Sequence, residues 1–197
     1  MVCCIVQSLE NDMTPIFLRN ISSQNQEIYN HPFLLEHFAS WIKPENYLEI
    51  GVRNGTSLIP VSKYAKICHA VDINFIKKDY SENVILYEMS SDEFFSKIQN
   101  IKFDMVFIDG DHNKEQVYKD FINVKDKVIQ DGFVFFHDSY PHNEEMLSSM
   151  LSDNCWEAIL RIKNEFYKEW EIITLPFSPG LTIMKKMSLD KQLIWKI

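Results

Sequence analysis

Two short stretches finish apolar runs on ionisable side chains. "FDMVFIDGDH", Phe103 to His112, carries Asp109, Asp111 and His112, and "GFVFFHD", Gly132 to Asp138, carries His137 and Asp138. Carboxylates gathered at one point repel one another, and each loses hydration on burial. They are tolerated where a cation neutralises them, and a few carboxylate oxygens completed by water suit Mg²⁺. A bound divalent ion lowers the pKa of a coordinated hydroxyl. An imidazole nearby, with its pKa near neutrality, can then take the proton. The simpler alternative makes Asp109 and Asp138 caps of following helices, which leaves their clustering with His112 and His137 unexplained. Asp111 is either a third ligand or a solvent-facing residue.

These groups converge only if the two runs are neighbouring parallel strands, whose C-terminal ends share one sheet edge. The chain has the periodicity for that. Residues 47–51, 67–72, 84–89, 103–109 and 132–138 are short apolar runs bounded by polar or turn residues, the signature of strands buried on both faces. Amphipathic segments lie between them. From about 114 to 127, Val117, Phe121, Val124 and then Val128 fall on one helical face. Ser90-Ser91-Asp92-Glu93 has the form of a capping box ahead of another helix. The alternation predicts a Rossmann-like, doubly wound α/β fold with a mostly parallel sheet. Residues 170–186 break it, reading as an antiparallel hairpin of 170–175 and 181–185 turned at Pro179-Gly180. That makes seven strands. Residues 1–46 lie outside the sheet, with a helix expected in "PFLLEHFASWI" that would serve as a lid or an interface and leaves homo-oligomerisation open.

Bulk properties narrow the function. The chain has 197 residues, 46% hydrophobic, enough for one core and one domain. A net charge of -8 argues against phosphate neutralisation on nucleic acid and against docking on anionic membranes. Cys3, Cys4, Cys68 and Cys155 show no metal-ligand or CxxC spacing, which reads as free thiols in a reducing, cytoplasmic setting. The apolar run at the N-terminus is too short for a signal core.

A second constellation precedes the first. "LEIGVRNGTS" leaves the first strand, with Gly51 and Gly55 where the chain must turn sharply into a helix. Glu49 stands just before the turn, and Asp72 ends the next strand 21 residues after Gly51, the distance at which an acid meets ribose hydroxyls in a nucleotide-binding βαβ unit. The dinucleotide pattern G-x-G-x-x-G is missing. E-x-G-x-x-x-G followed by a strand-terminal acid, with the terminal hairpin, resembles the class I S-adenosylmethionine (SAM) methyltransferases over residues 47 to 186.

That resemblance implies a SAM methyltransferase domain over 47–197. Gly51 and Gly55 would pass the methionine part of SAM. Glu49 would meet its amino group, Ser57 its carboxylate, and Asp72 the ribose. Ser90 or Ser91 would lie near the adenine, where the family often has Asp. The spacing Asp109-x-x-His112 is similar to the D-x-x-K of catechol O-methyltransferases, and closer to the D-x-x-H of sugar O-methyltransferases acting on macrolide glycosides. In the latter group the next strand ends in two acidic ligands, whereas here it ends in His137-Asp138. The resemblance therefore implies Asp109, beside the cofactor, and Asp138 as metal ligands, His137 in a ligand position and His112 as base. Imidazole suits Mn²⁺ or another transition ion better than Mg²⁺, so the metal is left as Mg²⁺ or Mn²⁺.

The expected function is metal-dependent O-methylation of a sugar, glycan or small polyhydroxylated acceptor. The alternatives are an NAD-dependent α/β oxidoreductase and a non-catalytic module of the same fold. Of the remaining histidines, His31 reads as a loop residue, His69 as core, and His142 as a candidate lining of the acceptor site.

Overall fold

The computed structural model describes residues 30–98, 100–148, 152–177, 179–188 and 190. Cys3 and Cys4 lie outside them. The chain runs α1 (Asn30–Ile42), β1 (Asn46–Ile50), α2 (Leu58–Ser62), β2 (Ile67–Asp72), β3 (Val84–Glu88), α3 (Ser91–Lys97), β4 (Phe103–Ile108), α4 (Lys114–Lys125), β5 (Val128–His137), a 3₁₀ turn (Glu144–Leu147), α5 (Cys155–Phe166), β6 (Trp170–Leu175) and β7 (Leu181–Lys186). The sheet has seven strands in the order β3-β2-β1-β4-β5-β7-β6. The first five are parallel, and β7 runs antiparallel to β5 and β6. This is the Rossmann-like plan with a terminal hairpin that the alternation predicted.

Continuous apolar character in the central strands has the expected consequence, burial on both faces. On one face Leu48, Ile50, Val106, Ile108, Val134 and Phe136 pack beneath α3, α4 and α5. On the other, Tyr47, Met105, Phe107, Phe133 and Phe135 pack beneath α1 and α2. Phe135 and Phe136 are wholly buried on opposite faces, each contributing about 1.5–3 kcal/mol of transfer free energy.

Two readings, one from periodicity and one of a residue preceding proline, need correction. Val128 is not the last turn of the preceding helix but the first residue of β5, paired with Phe103. The register between β4 and β5 then shifts before Met105 meets Phe133, and Asp131 takes a left-handed φ of 61°. An irregularity of this kind hides the start of a strand, because it breaks the period of two. His31 is not in a loop. It lies in α1 at 4% exposure, on one stripe with Leu35 and Ala39.

Strand register sets the site. Ile50 pairs with Ile108, and Ile108 with Phe136. Gly51, Asp109 and His137 therefore leave the sheet at one level. The chain winds outward in both directions from β1 and β4, so the crevice between them is the topological switch point where ligands bind. Gly51 has φ 87°, and a Cβ there would overlap the Asp109 carbonyl oxygen. Gly51→Ala is expected to destabilise the fold by about 2 kcal/mol or more, from left-handed strain and the clash together. The midpoint of urea denaturation checks this.

The hairpin acts on the same edge. Gly180 turns with φ 100° against Tyr140, whose N–H donates to the Pro179 carbonyl at 3.0 Å. Thr182 Oγ1 donates to Ser139 Oγ at 2.9 Å and lies 2.9 Å from Thr174 Oγ1. The segment leaving Asp138 is thereby clamped to the last two strands. No helix among the described residues is long and apolar enough to cross a membrane.

Candidate active site

β4 and β5 deliver their terminal residues side by side. His137 Nδ1 lies 3.0 Å from Asp109 Oδ1 and 3.0 Å from Asp138 Oδ2. His112, carried on the loop after β4, brings Nε2 to 3.1 Å from Asp138 Oδ2 and 3.8 Å from Asp109 Oδ1. Asp138 takes a left-handed φ of 53°. For a non-glycine residue that conformation is uncommon and costs of order 1–3 kcal/mol. It is held by Ser152, whose hydroxyl donates to Asp138 Oδ1 at 3.2 Å. Strain of this kind, stored where two strands end on charged groups, is characteristic of functional sites.

Electrostatics tie the cluster together. Burial pushes the Asp109 carboxyl up, but the His137 charge and hydrogen bonds from His112 and His137 outweigh it and hold it well below the usual range. Burial likewise lowers His137. The Asp109 charge and hydrogen bonds to both carboxylates overcome that and raise it to about 10. Each imidazole–carboxylate contact thus favours the charged form of both partners.

The structure adds a residue that the sequence reading left outside the site. His31 packs against His137 with ring centroids 4.0 Å apart and the planes tilted by 57°, and stacks on Phe107 at 5.6 Å. Burial, and then the His137 charge, lower its pKa to about 4. Its signal was present in the sequence: a histidine on the apolar stripe of "HPFLLEHFA" faces whatever that stripe covers.

Asp111 is not part of the cluster. It is exposed, and its Oδ1 accepts from the Asn113 N–H at 2.8 Å, shaping the turn into α4.

The cofactor-type constellation sits one strand away. Glu49 is fully buried, accepting from Tyr47 Oη and Ser57 Oγ at 2.6 Å each. Burial raises its carboxyl to about 8, against those two hydrogen bonds. Asp72 ends β2 and accepts from the Arg53 N–H at 2.7 Å and the Asn74 N–H at 2.8 Å, joining the glycine turn to the β2 end. Tyr80, on the β2–β3 connection, lays its ring on Gly55. Its hydroxyl is buried without a hydrogen-bond partner.

Ser90 and Ser91 lie at the start of α3 with other partners. Ser90 Oγ caps the helix by accepting from the Glu93 N–H at 3.2 Å, and Ser91 Oγ accepts from Gln116 at 3.1 Å. His69 is a buried residue of β2, 3.0 Å from Tyr87 Oη. Cys68 and Cys155 are buried free thiols. The Cys155 thiol approaches the His137 carbonyl at 3.4 Å.

The strand order with its antiparallel terminal hairpin is that of the Rossmann-like methyltransferase fold. Residues 48–139 match the family model of a methyltransferase domain, a span that runs from β1 through Asp138 and Ser139. A search of curated proteins finds no significant match to the sequence. Solved structures match the fold. TomG, the O-methyltransferase of Streptomyces achromogenes involved in tomaymycin synthesis, solved with SAM, aligns with TM-score 0.63 at 14% identity over 87% of this chain and 86% of its own. The S-adenosylhomocysteine (SAH)-bound methyltransferase PaMTH1 of Podospora anserina gives TM-score 0.62 at 14% identity over 87% and 86%. An O-methyltransferase of Bacillus cereus in complex with SAH gives 0.57 at 14% over 87% of each.

Proposed function

We propose that the chain is a SAM-dependent, divalent-metal-dependent O-methyltransferase acting on a hydroxyl of a sugar, glycan or small polyhydroxylated molecule. The observation that carries this reading is the convergence of Asp109, Asp138, His137 and His112 at the end of β4 and β5, level with the Gly51 turn.

The residues fit both groups. At the cofactor end, the buried Glu49 carboxylate matches a ligand ammonium. Asp72 matches a ribose diol, and the buried Tyr80 hydroxyl has a donor and acceptor to offer. At the metal end, one atom each from Asp109, His137 and Asp138 lie within 4.8 Å of one another, a spacing that a single ion can bridge. A divalent ion there supplies Lewis acidity, lowering the pKa of an acceptor hydroxyl.

The chain's own residues do the remaining work. His112 stands at the cluster with its ring held by Asp138, placed to take the hydroxyl proton. Glu49 and the Gly51 turn would hold the methionine end of the cofactor beside the Asp109 carbonyl, and the cofactor would supply the methyl group that the acceptor oxygen takes.

A groove of about 610 Å³ begins at Ser139, next to Asp138, and is walled by Tyr140, His142, Trp156, Lys163 and Thr174. That size lies within the range of small-molecule sites. Aromatic faces among hydroxyl and amine groups suit a polyhydroxylated ring. The names of TomG and the Bacillus cereus enzyme favour oxygen as the acceptor atom.

The test is SAH formation across a panel of hydroxylated acceptors, after exhaustive chelation and after adding back Mg²⁺ or Mn²⁺. Turnover is expected only with metal, and full activity in the chelated protein would rule the metal role out. Calorimetry should show heat with SAM and none with NADH. His112→Ala is expected to slow transfer by roughly 10²-fold or more while leaving the Kd for SAM within twofold. Unchanged turnover would remove it as the base.

A further inference from the structure

Within the candidate ligand set of Asp109, His137 and Asp138, the residue that does not offer oxygen is His137. Its ring is fixed from several sides at the end of β5, a strand paired on both edges. His31 covers one side at 4.0 Å between centroids, and Phe107 lies at 6.2 Å with the planes 70° apart. His31 is itself anchored, stacked on Phe107 at 28° and 4% exposed within α1. Nδ1 is aimed between the two carboxylates, 3.0 Å from each. Nε2 is buried and has no hydrogen-bond partner. Metal-binding imidazoles are commonly oriented by a hydrogen bond on the nitrogen away from the ion. Here aromatic packing does that orienting.

Donor chemistry then bears on the ion. Mg²⁺ takes oxygen ligands in a near-ideal octahedron and keeps several of its waters, whereas imidazole suits borderline transition ions. We propose that His137 is a nitrogen ligand and that Asp109, His137 and Asp138 form a transition-ion site, taking Mn²⁺, Co²⁺ or a similar ion in strong preference to Mg²⁺, with His31 of α1 positioning the His137 ring. The proposal rests on the metal-dependent reading above and adds to it the identity of a ligand and the class of ion.

The experiment uses the full chain, free of metal, titrated with MnCl₂ and MgCl₂ by calorimetry. Electron spin-echo spectroscopy of the Mn²⁺ complex then looks for coupling to an imidazole ¹⁴N. The wild type is expected to bind Mn²⁺ with ¹⁴N coupling. The coupling should persist in His112→Gln and vanish in His137→Asp. In His137→Asp, whose set is all oxygen, the ratio of Mg²⁺ to Mn²⁺ dissociation constants should fall at least tenfold. His31→Ala should weaken Mn²⁺ at least fivefold, and His31→Phe, which keeps a ring against His137, should restore most of that loss.

Mn²⁺ bound without ¹⁴N coupling in the wild type would overturn this inference and leave a metal-dependent enzyme with an oxygen-only site. That measurement needs no variant to fold. Coupling that survives His137→Asp and disappears in His112→Gln would also overturn it. No binding of either ion at millimolar concentration would sink the inference and the metal-dependent reading together.

Discussion

Replacing Asp138 by asparagine is expected to cut methyl transfer by about 10²–10⁴-fold, the range for losing a group that acts in proton transfer, while the protein stays folded. Asp138 is the member of the cluster with most to do. Its Oδ2 lies 3.1 Å from His112 Nε2 and 3.0 Å from His137 Nδ1, and its Oδ1 accepts from Ser152. Removing its charge takes away a proposed metal ligand and the partner that orients the proposed base. Asparagine is the informative replacement because it keeps the shape, can still accept from Ser152, and tolerates the left-handed φ of 53°. Alanine would mix chemistry with strain.

The check is the rate of SAH release beside the melting temperature of the same preparation. A variant within threefold of wild-type turnover would show that the chemistry happens elsewhere. Asp111→Asn serves as the control. Its carboxylate accepts from the Asn113 N–H and lies outside the Asp109–His137–Asp138 group, and the variant's turnover should stay within twofold.

The contrast between Asp138 and Asp111 shows what a sequence can and cannot say about such a site. Strand ends are legible, because an apolar run that stops on an acid places that acid at a sheet edge whatever the surroundings. Asp72, Asp109, His137 and Asp138 were found that way, and the register of β1, β4 and β5 brings Gly51, Asp109 and His137 level. What happens within two or three residues after a strand is set by turn geometry, so Asp111 could not be assigned from spacing.

Distant partners were less visible still. His31 reaches His137 only because α1 crosses the face of β4 and β5 that carries Phe107 and Phe135, and nothing local announces where a helix will dock. Ser90 shows what a local pattern does settle. The capping-box form placed it at the N-terminus of α3, where its Oγ accepts from the Glu93 N–H. The start of β5 was misplaced because Val128 continued the period of α4.

The second large effect concerns the cofactor end and is a pH dependence. Glu49 is wholly buried, and burial raises its carboxyl to about 8 from an ordinary 4.5. Between those values the folded protein holds a proton that the unfolded chain has released. The unliganded protein should therefore lose stability as pH rises through that window, by up to about 1.4 kcal/mol per unit. An ammonium group placed against Glu49 favours the ionised form and reverses the preference. Binding of SAH should accordingly expel about one proton at pH 6–7, and its Kd should fall roughly tenfold per unit from pH 6 to 8 before levelling.

Calorimetry in two buffers of different ionisation enthalpy counts the proton directly. Glu49→Gln, which keeps the size and can still accept from one of Tyr47 and Ser57 while its amide N–H donates to the other hydroxyl, should flatten both the stability and the affinity profiles. It should also weaken SAH at pH 8 by about 1.5–3 kcal/mol, the worth of a hydrogen bond to a charged group. A pH-independent Kd with no proton released would mean that Glu49 stays protonated beneath the ligand. It would then act as part of the core with Tyr47 and Ser57 rather than as the counter-charge of the cofactor.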